Sequence, residues 1–168
     1  MKAPTVLLPD EWPAKVGPHT VTFVRHAEKN GGGFMADLTP AGVRDSIEAG
    51  RHIGCRVDLF LASPSPRTMS TARGIREGNG SNATLVAEEQ LAEPGNGFTT
   101  DFRQALKSFF TRILELVEEN RPDIVLATTH NYVVEYVAAV FGTRAGSPDY
   151  LSGITVNLEL LSQMCESL

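Results

Sequence analysis

A chain of 168 residues fits one domain, residues 1–168, large enough to bury a real core without disulfides or metals. Its 42% hydrophobic and 21% charged residues are ordinary for a soluble globular protein, which argues against disorder, and no apolar run is long enough to span a bilayer. The net charge of −5 argues against a general affinity for nucleic acid or anionic membranes, so any anion chemistry must be local.

Cys55 and Cys165 lie far apart with no CxxC spacing, so they read as unpaired small hydrophobes in a reducing compartment. Pro9, Asp10 and Glu11 interrupt the apolar stretch near the N-terminus before a signal-peptide core forms, and the expected location is the cytoplasm.

Residues 1–19 are rich in proline without clean periodicity and are expected to form an irregular arm. From about Thr20 a buried apolar strand, Val21-Thr22-Phe23-Val24, runs out into Arg25-His26-Ala27-Glu28-Lys29. Gly31-Gly32-Gly33 is followed by no Gly-Lys-Ser/Thr and no helical pattern, so it is not a P-loop and reads as a mobile loop at a site entrance. Thr39 as N-cap and Pro40 at the first helical position predict a helix to about His52. Asp58 to Ala62 is a second buried strand with a stiff exit, Ser63-Pro64-Ser65-Pro66, and a helix follows from Arg67 towards Arg76.

Residues 78–82 read as a turn, Ala83 to Ala87 as a strand, and Leu91 to Thr100 as a loop. Phe102, Leu106, Phe109, Phe110, Ile113, Leu114 and Val117 recur near 3.6 residues and predict an amphipathic helix over roughly 101–120. Asp123 to Thr128 is a third buried strand, followed by His130 and a helix from about Asn131 to Phe141 that Gly142 stops. Ile154 to Leu161 reads as a last strand. Strands alternating with helices predict an α/β three-layer sandwich: a mainly parallel sheet with right-handed crossovers and helices on both faces.

Three buried strands end near candidate site residues: Arg25 and His26, then Arg67, then His130. Strand ends of one parallel sheet converge on one edge, so two arginines and two histidines would face a common crevice and make a metal-free oxyanion site. The helix opening at Asn131 would add backbone N–H groups and the positive end of its dipole. His19 and His52 have no motif around them and read as surface or structural residues. Thr39, Ser65 and Thr68 could hydrogen-bond a substrate, but caps and turns explain them as well.

In order, VRHAEK, LTPAG, SPSPRTMSTA and LATTHN resemble the Arg-His-Gly block, Leu-Thr-x-x-Gly helix start, Ser-Pro-x-x-Arg-x-x-x-Thr-Ala segment and strand-then-His block of the histidine phosphatase superfamily, which includes phosphoglycerate mutases and short phosphohistidine phosphatases. The pattern covers the chain from Val21 to about Val140. The resemblance implies a phosphoglycerate mutase-like fold, with His26 as nucleophile carrying a phosphohistidine intermediate. Arg25, Arg67 and His130 would hold the phosphoryl oxygens, with Asn131 beside them. The physical chemistry agrees: phosphoryl transfer needs an in-line nucleophile and charge stabilisation that arginines can supply in place of a metal. His26 must be neutral, with a backbone carbonyl fixing its tautomer.

A leaving alkoxide needs a proton. One branch of the family supplies it from an Asp after the second histidine, but Asn131 stands there; the other uses a Glu between the second arginine and second histidine, and Glu93 occupies that place. The resemblance therefore assigns Glu93 as general acid and then base, with Glu28 competing for the role. Ala27 replaces the usual glycine, tolerable where φ is negative.

His26-Ala27-Glu28 also resembles the His-x-Glu of zinc deaminases, but no Pro-Cys-x-x-Cys accompanies it. The stretch from Glu93 to His130 leaves room for one helix and one strand and none for a large cap, so water can reach a phosphohistidine and hydrolysis is expected. The expected substrate is a phosphorylated small molecule or a phosphohistidyl protein, with no cofactor. A mutase-like phosphotransferase and a non-catalytic phospholigand-binding module remain the alternatives. Substrate choice rests with the loops around 30–37, 93–100 and 143–153.

Overall fold

A computed structural model describes residues 4–91, 102–143 and 148–168. In chain order the elements are β1 (Val6–Leu7), β2 (Thr20–Arg25), α1 (Pro40–Arg51), β3 (Leu59–Ala62), α2 (Pro66–Asn79), β4 (Leu85–Ala87), α3 (Phe102–Asn120), β5 (Ile124–Thr129), α4 (Asn131–Val140), β6 (Gly153–Asn157) and α5 (Leu158–Ser167). The strands form one six-stranded sheet in the order β1-β6-β2-β5-β3-β4. Pairs β2–β5, β5–β3 and β3–β4 are parallel, whereas β6 runs antiparallel to both β1 and β2. The expected α/β sandwich is thus correct, with a mainly parallel, mixed sheet.

The central strands are apolar on both faces because both faces are covered. Val21, Phe23, Leu59, Leu61, Val125 and Ala127 point to one side, where α3, α4 and α5 pack with Phe109, Phe110, Ile113, Val134, Val137 and Leu161. Val24, Phe60 and Leu126 point to the other, against Ala49 of α1, Ile75 of α2 and Trp12. Helices α1 and α2 approach closely: a Cβ at Gly50 would strike the Ile75 carbonyl, and one at Gly78 the Ile47 carbonyl.

Two expectations need detail. The N-terminal arm contains two short regular pieces, Val6–Leu7, which adds an edge strand to β6, and a 3-10 helix, Trp12–Lys15. Trp12 is fully buried and its indole Nε1 donates to the Leu151 carbonyl at 2.6 Å, which fastens the arm to the loop before β6. The last strand also ends at Asn157 rather than Leu161. The Asn157 side chain accepts from the Glu159 and Leu160 N–H groups and caps α5, so Leu161 and Cys165 reach the core from a helix.

Other differences are smaller. Helix α2 continues to Asn79, where Gly80 caps it at φ 69°, so the expected turn at 78–82 starts two residues later. Thr39 caps α1 as expected, its Oγ1 accepting the Gly42 N–H at 3.0 Å. Cys55 and Cys165 are free thiols. Among the described residues no helix is long and apolar enough to cross a membrane.

Candidate active site

Register places the site. Arg25 is the last residue of β2 and pairs with Thr129, the last of β5, so the residues that follow, His26 and His130, emerge side by side. The His26 N–H extends the ladder to the Thr129 carbonyl at 2.9 Å, and the imidazole centroids lie 5.7 Å apart, edge to face. On the other flank of β5, Ser63 follows β3 with its N–H on the Thr128 carbonyl at 3.1 Å. From there the chain turns at once into α2, whose first turn carries Arg67.

The four residues expected to converge do so, and His26, Arg67 and His130 are all buried. His26 Nδ1 lies 2.8 Å from the Ala27 carbonyl, and a carbonyl only accepts, so Nδ1 carries the hydrogen and Nε2 keeps its lone pair. His130 stands between Ser63 Oγ, 2.9 Å from Nε2, and Arg67 Nη2, 3.4 Å from Nδ1. The Arg67 Nη1 donates to the Gly33 and Phe34 carbonyls, while its buried Nε has no hydrogen-bond partner among the described residues. Arg25 donates to the Pro148 carbonyl and lies over the Tyr150 ring, 4.4 Å from its centroid. Asn131 opens α4 directly after His130.

The electrostatics favour neutral imidazoles. Burial brings His26 down from 6.5 to about 4 against the opposing pull of the Ala27 carbonyl, and Arg67, Arg25 and Lys29 lower it further. Burial likewise brings His130 to about 3, helped by Arg67, His26, Lys29 and Arg25. At neutral pH His26 is therefore an uncharged imidazole beside fixed cations, an arrangement whose chemistry suits attack on an anionic electrophile.

Some expectations resolve differently. The glycine loop is bracketed by contacts: the Asn30 N–H donates to the Asp37 carbonyl at 2.8 Å, Lys29 bridges Leu38, and Arg67 donates to the Gly33 and Phe34 carbonyls. Glu28, the competing proton donor, turns its carboxylate to Thr39 Oγ1 at 2.8 Å, beside the α1 cap. Glu93 lies outside the described residues. Ala27 is not among the non-glycine residues with positive φ, which explains why its methyl group is accommodated.

Three residues were not singled out from the sequence. Ser63 directly follows β3, and the strand-end argument that picked Arg67 would have reached it. Thr71 accepts the Ala27 N–H at 3.0 Å and donates to the Arg67 carbonyl at 2.7 Å, joining the two motifs; its signal was its place one turn beyond Arg67. Tyr150, whose ring lies 5.7 Å from that of His26, sits in a loop with no pattern to mark it.

No family model matches the sequence, and no curated protein matches it. Solved structures do. Phosphoglycerate mutase from Bacillus anthracis str. Sterne is similar at a TM-score of 0.66 and 13% identity, over 90% of this chain and 98% of its own. Phosphoserine phosphatase from Entamoeba histolytica, in complex with 3-phosphoglyceric acid, gives 0.59 and 15% over 81% and 89%. Mycobacterial glucosyl-3-phosphoglycerate phosphatase gives 0.60 and 15% over 83% and 90%. These similarities show that the chain has the α/β fold of phosphoglycerate mutase and of these phosphatases.

Proposed function

We propose that this chain is a single-domain, metal-independent phosphatase that works through a phosphohistidine on His26. The observation that carries this reading is the Nδ1 contact of His26 with the Ala27 carbonyl, which leaves the Nε2 lone pair beside Arg67 and His130. The phosphatases of the same fold support it. Nε2 attacks phosphorus as the P–O bond to the leaving group breaks, and Glu93 gives the departing oxygen its proton. Water then attacks the phosphohistidine, the N–P bond breaks, and Glu93 takes a proton back. Arg25, Arg67, His130 and the α4 N-terminus at Asn131 hold the phosphoryl oxygens.

The substrate is a phosphorylated small molecule or a phosphohistidyl protein, and the free thiols of Cys55 and Cys165 support a reducing, cytoplasmic setting. A metal-free panel of alkyl phosphomonoesters and a phosphohistidyl protein tests this on wild type, His26→Ala and Glu93→Gln. Phosphate release should vanish in His26→Ala, and Glu93→Gln should fail on alkyl esters alone, because the neutral leaving imidazole of a phosphohistidine needs little acid catalysis. Equal release by His26→Ala would remove the nucleophile from its role. Isomerisation of a phosphoglycerate without net phosphate release would make the chain a mutase.

A further inference from the structure

The two histidines are held by groups of different chemistry. His26 Nδ1 faces the Ala27 carbonyl, which can only accept, so its tautomer is locked with the lone pair on Nε2. His130 Nε2 faces Ser63 Oγ, and a hydroxyl can donate or accept. Its other nitrogen, Nδ1, faces Arg67 Nη2, and a guanidinium can only donate. In this arrangement His130 therefore carries its hydrogen on Nε2, gives it to Ser63, and turns a lone pair towards Arg67. That lone pair cannot bind a phosphoryl oxygen, since both groups accept.

We propose that Ser63 is a positioning residue whose hydroxyl reverses direction when a phosphoryl group enters, donating to Nε2 so that Nδ1 of His130 carries the hydrogen offered to the anion. The inference rests on the pocket being a phosphoryl site, as argued above. The proton count is conserved: Nε2 loses one proton to solvent, Nδ1 gains one from solvent, and the ring stays neutral. Arg67 Nη2 leaves Nδ1 and turns its hydrogen to the same anion.

Ser63 is built for this. It is fully buried, its N–H is fixed on the Thr128 carbonyl, and its own carbonyl accepts from Thr68 Oγ1 at 2.6 Å, so only the hydroxyl hydrogen is left to turn. A carbonyl in its place would hold His130 in one tautomer, as Ala27 holds His26. The groups around His130 favour exchange over a second proton: Arg67 from α2, Arg25 and His26 from the end of β2, and Lys29 beyond it all disfavour the imidazolium.

Nitrogen-15 NMR on the full chain with labelled histidines distinguishes the tautomers directly, with inorganic phosphate as the probe at pH 7.5. His130 should be the Nε2–H form without phosphate and the Nδ1–H form at saturation, while His26 stays Nδ1–H throughout. Bound phosphate with His130 still Nε2–H, or protonated on both nitrogens, overturns the role of Ser63 and leaves the phosphatase reading standing. Phosphate that perturbs neither histidine overturns both. Ser63→Ala should weaken phosphate binding about tenfold, the effect of losing roughly 1.4 kcal/mol of hydrogen bonding, and Ser63→Thr should restore most of it. Wild-type affinity in a folded Ser63→Ala would also overturn the proposal. The wild-type NMR decides the matter should that variant fail to fold.

Discussion

The two layers that flank the sheet are built on different physics. The layer of α3, α4 and α5 is an apolar mass: Phe23, Phe109 and Phe110 stack within 6.5 Å of one another and aliphatic side chains fill the rest. The layer of α1 and α2 is thin at its helix contact, where glycines let backbones touch, and it is rich in buried hydroxyls: Ser46, Ser63, Ser65, Thr68 and Thr71 are all buried and hydrogen-bonded. The second layer leads Arg67 and Thr71 into the site. Apolar packing tolerates small shifts because it has no direction, whereas hydrogen bonds of fixed length transmit position. The molecule thus separates a layer that stabilises from a layer that aligns.

Acid should break the aligning side first and most severely. In the unfolded chain both site histidines bind a proton near pH 6.5, whereas in the folded protein His26 does so only near 4 and His130 near 3. The unfolded state binds more protons across that window, so the stability is fully present above pH 6.5 and is lost as pH falls towards 4. Each histidine contributes a slope of up to about 1.4 kcal/mol per pH unit. Urea midpoints between pH 7 and 4.5 measure it, and His130→Asn should flatten the curve. A wild-type midpoint that holds steady over this range would contradict the depressed values.

The apolar layer gives the next largest effect. Phe110 is fully buried against Phe23, Phe109 and Phe141, and Phe110→Ala should cost about 3–5 kcal/mol in urea unfolding. Under native conditions phosphate affinity should be unchanged, since the ring's aromatic partners among the described residues, Phe23, Phe109 and Phe141, are not site residues. A large loss of affinity in the folded variant would erase the distinction between the layers.

This division also governs what could be read in advance. Period and caps disclosed the strands β2, β3 and β5 and the helices α1 and α3, because buried runs and a Thr-Pro start are local signals. The residues Arg25, His26, Arg67 and His130 followed from strand ends converging on one edge. Trp12 could not be anticipated, since the value of an indole in a proline-rich arm depends on the Leu151 carbonyl far along the chain. The Asn157 cap was passed over because Ile154 to Leu161 reads as one apolar run, and its antiparallel pairing with β1 and β2 is a long-range fact. Thr71 and Ser63 look like ordinary helix and turn residues until the partners that use their hydroxyls are in place.

Gly78→Ala should show the reverse pattern to Phe110→Ala. A methyl group there strikes the Ile47 carbonyl, and parting α1 from α2 should cost about 1–3 kcal/mol, less than the aromatic deletion. Yet α2 carries Arg67, so KM for a phosphorylated substrate should rise while that of Phe110→Ala does not. Paired urea curves and KM measurements on the two variants check the crossing of effects.

Thr71→Val is the finest probe, because it keeps shape and removes only a hydroxyl. The Ala27 N–H loses its acceptor in a site with no exposure, and the Arg67 carbonyl loses a donor, a cost of about 1–3 kcal/mol. The residue that carries this N–H also carries the carbonyl that fixes His26 Nδ1, so its shift misaligns His26 more than Arg67 or His130. The expected outcome is a fall in kcat of about tenfold or more with KM nearly constant, because small misplacements of a reacting group are costly. Thr71→Ser keeps both hydrogen bonds and should restore kcat. A Thr71→Val enzyme with wild-type kcat would mean that the α2 layer supports His26 by packing alone.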